Sequence, residues 1–187
     1  HAHGGAAVFD QQGGLDGARL LPWAQYWAWL LSGEMASEVT SLGCHSDIWA
    51  PAPADFSNMA KRRGWAAQFA PLVRADQAVG VLRPELARLT GLPARTRVLA
   101  GLHDSNAALL AARGFPEIAG HEATVLSTGT WFIAMRSPQQ PVDYAALSEW
   151  RDCLVNVDVE GRPVPSARYM GGRELELLGA RIDRHGT

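Results

Sequence analysis

The chain has 187 residues, 47% of them hydrophobic and 19% charged, with a formal net charge of −2, which allows one sizeable core or one core and part of another. Lys61 is the only lysine and Lys61-Arg62-Arg63 the only continuous basic tract, so nucleic acid is not the expected partner and the triplet reads as a solvated helix face. Cys44 and Cys153 lie far apart with no ligand cluster around them, which argues against a disulfide scaffold and against a metal site.

In chain order, His1 and His3 with their flanking glycines read as a terminal tail rather than as metal ligands. From Pro22 to Leu31, the residues Trp23, Tyr26, Trp27, Leu30 and Leu31 form one helical stripe, with Gly33 beyond its end. That stripe is too short to span a bilayer and is expected in the core, as are Trp27 and Trp49, whose alternative use is as an apolar face for a ligand ring. Further helices are expected over Ser57 to Arg63, Trp65 to Phe69 and Pro84 to Thr90, with Pro51, Pro53 and Pro71 punctuating the connections. No stretch reads as a signal peptide or membrane span, so the cytoplasm is the expected compartment.

A strand from Arg97 to Leu99 runs into a helix from Asp104 to about Ala112, stopped by Gly114 and Pro116. Two strands follow, Ala123 to Leu126 and Thr130 to Met135, joined by a tight turn at Ser127, Thr128 and Gly129. Beyond them, Ser137 to Pro141 reads as a linker, and Cys153 to Val159 as a strand ending in a turn at Glu160 to Pro163. Alone, these elements amount to a mixed α/β domain with its lobe boundary near residue 138.

Asp104 at a strand-to-helix junction has two readings. It can be a helix-capping carboxylate, or it can accept the proton of a substrate hydroxyl during phosphoryl transfer. The adjoining His103, the preceding Gly101 and the downstream turn favour the second. Likewise, Ser127-Thr128-Gly129-Thr130 can be an ordinary hairpin connector or a cradle for phosphate oxygens.

The run from Gly80 through Pro84-Glu85 and Gly91-Leu92-Pro93 to His103-Asp104, followed by Ser127-Thr128-Gly129-Thr130-Trp131, resembles the central part of FGGY-family carbohydrate kinases. Upstream, Gly33 to Gly43 is similar to the loop and helix lining the sugar side of that family's cleft, with Ser37-Glu38 at its Thr-Asp or Thr-Glu position. Gly171-Gly172-Arg173-Glu174 resembles an element early in the family's second lobe. The similarity runs from about Leu20 to Gly179. The family's Asp-x-Gly-Thr/Ser phosphate hairpin and its glycine-rich adenine region do not occur in this sequence.

The resemblance implies the ribonuclease-H-like, actin-like ATPase fold, with residues 1–137 as part of a sugar-binding and catalytic lobe and 138–187 as the start of a nucleotide-binding lobe. It implies ATP and magnesium as cofactors, Asp104 as catalytic base, and Ser127, Thr128, Gly129 and Thr130 as the phosphate loop. Ser37, Glu38, Thr40, His45 and His103 are then the sugar-side candidates. Without a cationic cluster beside them, a neutral ketose such as a pentulose or 6-deoxy-ketohexose is expected ahead of a sugar acid. No membrane partner is expected, and homodimerisation stays open. The alternative is an inactive sugar-binding or structural fragment of such a kinase, lacking a complete nucleotide site.

Overall fold

The computed structural model describes residues 17–44, 46–147 and 153–184, the side chains of 180–184 excepted. The expectations for His1, His3 and His45 therefore fall outside the described residues.

Helix α1 (Trp23–Ser32) starts after Pro22 and ends at Gly33, whose φ of 90° is the left-handed conformation in which glycine avoids a Cβ clash. A short helix α2 (Val39–Gly43) begins at Glu38, whose side chain caps it by accepting from the Ser41 N–H. The hairpin β1 (Trp49–Ala50) and β2 (Asp55–Phe56) precedes helix α3 (Asn58–Arg62), capped by Ser57, and a 3-10 turn at Trp65–Gln68. Strands β3 (Ala78–Val81) and β4 (Arg97–Leu99) pair antiparallel around helix α4 (Pro84–Thr90), which has Pro84 in its first turn and left-handed Gly91 at its end. Helix α5 (Asp104–Ala112) then leads to a hairpin of β5 (Ala123–Ser127) and β6 (Phe132–Ser137). Strands β7 (Cys153–Val157) and β8 (Pro163–Tyr169) and helix α6 (Gly171–Arg184) follow.

The main sheet is antiparallel with strand order β5-β6-β8-β7. Its strands lie on both sides of residue 138, so the expected linker at 137–141 leads out of β6 and the sheet continues beyond it. Helix α5 packs on this sheet through Leu109, which is buried with Ile133, Met135 and Val164 while Val125 packs against the cluster. That contact decides the geometry of everything below, because it fixes the start of α5 relative to the β5–β6 loop. A second cluster of Leu42, Trp49 and Val157 joins α2 and β1 to β7.

The aromatic stripe of α1 does not face the core. Trp23 is 73% exposed, and Tyr26, Trp27, Leu30 and Leu31 are all exposed, while the buried residues of the helix are Gln25 and Ala28. The inward face is small and polar because α1 approaches the end of β4 closely: Gln25 Nε2 donates to the carbonyls of Ala100 at 3.1 Å and Gly101 at 3.2 Å. Trp49, by contrast, is buried as expected.

The other departures are local. The β5–β6 connection is wider than a turn at 127–129, because β5 continues through Ser127 and β6 begins only at Phe132, leaving Thr128 to Trp131 as the loop. Strand β7 stops at Val157 rather than Val159 because Asp158 Oδ1 accepts the backbone N–H of Glu160 at 3.0 Å and of Arg162 at 2.9 Å, turning the chain. Among the described residues, no helix is long and apolar enough to cross a membrane.

Candidate active site

The link from Ala100 to His103 carries the chain off β4 and into α5, with Gly101 at φ 75° making the bend. His103, not Asp104, occupies the cap position, and its side chain makes no capping hydrogen bond. Asp104 stands one residue inside the helix, with its side chain 92% exposed. Its Oδ1 accepts the Ser105 N–H at 2.6 Å and lies 3.2 Å from His103 Nε2. Among the described residues Oδ2 has no recorded partner. The carboxylate is anchored at one oxygen, and Asp104 is exposed at the cleft.

Behind it is a buried polar chain. The His103 backbone N–H donates to Thr40 Oγ1 at 3.1 Å, and Thr40 Oγ1 donates to Glu38 Oε2 at 2.6 Å. Thr40 and Glu38 are fully buried. A backbone N–H at a helix start has no intrahelical acceptor, so Thr40 satisfies the one at His103 and ties α2 to the start of α5. Cys44 Sγ lies 3.3 Å from His103 Nε2, and Asn156 Nδ2 on β7 donates to the same sulfur at 3.7 Å. Burial pushes the Cys44 thiol up to about 11, with Asn156 opposing and the nearby Asp104 reinforcing the rise, so the thiol stays protonated and unreactive at neutral pH.

Opposite Asp104 is the β5–β6 loop. His103, Asp104, Ser105, Ser127, Thr128, Gly129, Thr130, Trp131, Ile133 and Arg168 line one open cleft of about 550 Å³. All four phosphate-loop candidates thus share a cleft with the proposed base. Ser37, Glu38 and Thr40 do not line it: Ser37 is buried on a bridge to Leu72, and the other two form the layer under His103. His45 lies outside the described residues.

Gly129 has room for a side chain, since a Cβ would meet only the Trp131 carbonyl, at 3.9 Å. The tightly constrained glycine is Gly172, at the start of α6, where a Cβ would run into the carbonyl of Gly129 and come within 3.0 Å of Thr130 Cα. The second glycine of the Gly171-Gly172 pair therefore lets α6 begin against the loop.

Arg168 was missed altogether. It sits on β8 opposite Ile133, with its guanidinium 5.7 Å from the centre of the Trp131 ring. Only the pairing of β6 with β8 brings it to the cleft, and nothing in the local sequence announces that.

Comparison with known proteins fits this geometry. The family described as carbohydrate kinase FGGY, C-terminal domain, matches residues 120–186. An L-fuculokinase from Salmonella typhi is 32% identical over 175 residues, 86% of this chain and 34% of the relative. A crystal structure of a carbohydrate kinase from Novosphingobium aromaticivorans is 73% identical, with a TM-score of 0.78, over 86% of this chain and 35% of that one. The chain is homologous to FGGY-family carbohydrate kinases. A xylulose kinase from Rhodospirillum rubrum, 19% identical with a TM-score of 0.62 over 88% of this chain and 32% of that one, shows the fold alone. The mixed α/β architecture is thus that of the FGGY, actin-like ATPase fold with partial domain coverage. The chain spans about a third of the length of the curated relatives it matches.

Proposed function

We propose that this chain carries the catalytic base and one phosphate-binding loop of an ATP-dependent sugar kinase. The observation that carries the reading is the single cleft shared by exposed Asp104 and the Ser127–Thr130 loop. A hydroxyl oxygen of the sugar attacks the terminal phosphorus, the bond from that phosphorus to the bridging oxygen breaks with its electron pair leaving on ADP, and the hydroxyl proton passes to Asp104. The hydroxyls and backbone N–H groups of Ser127, Thr128, Gly129 and Thr130 receive the phosphate oxygens. Magnesium bound with the triphosphate would supply charge neutralisation. Among the described residues no group of three or more His, Cys, Asp or Glu side chains could hold a metal ion, so the cation would be held by the triphosphate, water and acidic groups outside this cleft.

Ser37, Glu38, Thr40, His45 and His103 belong on the sugar side in this reading, with Glu38 and Thr40 acting through His103. The substrate is a neutral ketose. The L-fuculokinase name of the matched relatives favours a 6-deoxy-ketohexose over a pentulose. We place the boundary between the two lobes near residue 120 rather than 138, supported by the sheet running across 138 and by the start of the C-terminal family match. The test is ATP-dependent phosphorylation of a panel of ketoses, aldoses, polyols and aldonates by a protein of family length carrying this sequence. A neutral ketose is expected to be preferred. Preference for an aldonate would overturn the substrate assignment, and no phosphorylation of any sugar would overturn the kinase reading.

A further inference from the structure

Asp104 and a triphosphate are both anionic, and bringing them into one cleft costs energy unless a cation stands between them. Among the described residues lining the cleft, Arg168 supplies the only permanent positive charge. Its backbone is held in a strand rather than a loop, in register with Ile133 at the base of the cleft. Its guanidinium lies over Trp131, the residue that follows the phosphate loop and precedes β6. A cation–π contact of this kind holds the guanidinium beside the loop. Planar, edge-on donors suit the oxygens of a phosphoryl group.

We propose that Arg168 is a catalytic residue that contacts the terminal phosphate of the triphosphate and neutralises the charge spread over its oxygens as the phosphoryl group moves to the sugar. The inference rests on the kinase reading above. Its placement favours the phosphate over a sugar anion: Arg168 shares the cleft with the whole Ser127–Thr130 loop, whereas of the described sugar-side residues only His103 lines it and Ser37, Glu38 and Thr40 do not. The bond changes are those already described, so Arg168 neither gives nor takes a proton. Charge stabilisation at the transferring group acts on turnover more than on sugar binding.

The test uses a protein of family length carrying this sequence. Arg168→Ala should lower kcat roughly 100-fold, the scale of losing one donor aimed at developing charge, with the sugar KM changed by no more than about threefold. Arg168→Lys should recover part of the loss, because it keeps the charge but not the planar fork. An independent readout comes from 5-fluorotryptophan labelling, with the Trp131 resonance assigned through Trp131→Phe. Inorganic tripolyphosphate should shift that ¹⁹F resonance in the wild type and in Arg168→Lys, and leave it unmoved in Arg168→Ala. An Arg168→Ala variant turning over within about threefold of wild type, or a tripolyphosphate shift equal in size with and without Arg168, would overturn the proposal. Should Arg168→Ala fail to fold, a tripolyphosphate titration that leaves the Trp131 resonance unmoved in the wild type overturns it as well. If the wild type phosphorylates no sugar, the kinase reading falls by itself and the tripolyphosphate shift still decides whether Arg168 holds a phosphate.

Discussion

Replacing Thr40 by valine removes one hydroxyl and keeps nearly the same volume, which isolates the polar link between α2 and the start of α5. Two groups lose a partner. The His103 N–H, held by Thr40 Oγ1 at 3.1 Å, is left without its acceptor, and Glu38 Oε2 loses its 2.6 Å donor. Glu38 keeps the Ser41 N–H at 3.2 Å and the Ser41 hydroxyl at 3.4 Å, both on Oε2, while its Oε1 is already buried without a partner. The lost hydrogen bond to Glu38 contributes about 1.5 kcal/mol, and stranding the part-buried His103 N–H costs a similar amount, giving about 3 kcal/mol in all. For a chain of this size, that lowers Tm by about 6 to 12 °C. Thr40→Ser, which keeps the hydroxyl and loses one methyl, should stay within about 1.5 kcal/mol of wild type. Urea denaturation of the three proteins at a common m-value reads the difference. A Thr40→Val protein within about 0.5 kcal/mol of wild type would mean that Thr40 does not hold His103 in place.

Gly172→Ala should displace the β5–β6 loop, because its methyl meets the Gly129 carbonyl; Gly129→Ala should leave the fold intact, and amide chemical shifts of residues 127–131 separate the two outcomes. Asp158, itself buried, pairs with Arg113 at 3.0 Å and with the exposed Arg162 at 2.8 Å, in a cluster that also holds Glu160. Burial raises its pKa, but the Arg162 backbone N–H and guanidinium more than offset this and hold the carboxyl below its ordinary 3.8. Its contribution to stability is therefore complete above the unfolded-state value and is lost as pH falls through the lower folded-state one. Asp158→Asn should cost about 1.5 kcal/mol near neutrality, the scale of a hydrogen bond to a charged group, and flatten the acid side of a stability profile. An unchanged profile would remove Asp158 from the account.

The elements around Asp104 were legible because their punctuation is local. Pro84 and Gly91 mark both ends of α4, and the glycine bend before His103-Asp104 marks the start of α5. The stripe on α1 was legible as a helix and misjudged as core. Periodicity reports that five apolar residues share a face, but not what covers it, and the face turned inward is the one bearing Gln25 and Ala28. The polar layer under His103 was visible only as residue types. Ser37-Glu38 and Thr40 were picked out by resemblance, while their burial and the Thr40–His103 bond depend on α2 meeting α5 across a long sequence separation. Arg168 escaped for the same reason, and Gly172, picked out only within a resembling motif, gave no sign of its contact with Gly129: each reaches the loop through the pairing of β6 with β8 and the α6 start that follows it.

The account stands on Asp104 as the group that takes the substrate proton. Asp104→Asn keeps the size and the exposed position of the side chain and removes only its basicity, so a family-length protein carrying it should fold and bind sugar as the wild type does. Its ATP-dependent turnover, measured with the sugar the wild type prefers, should fall by about two orders of magnitude or more. Turnover near the wild-type value would contradict the assignment and leave Asp104 as the first residue of a helix and nothing else.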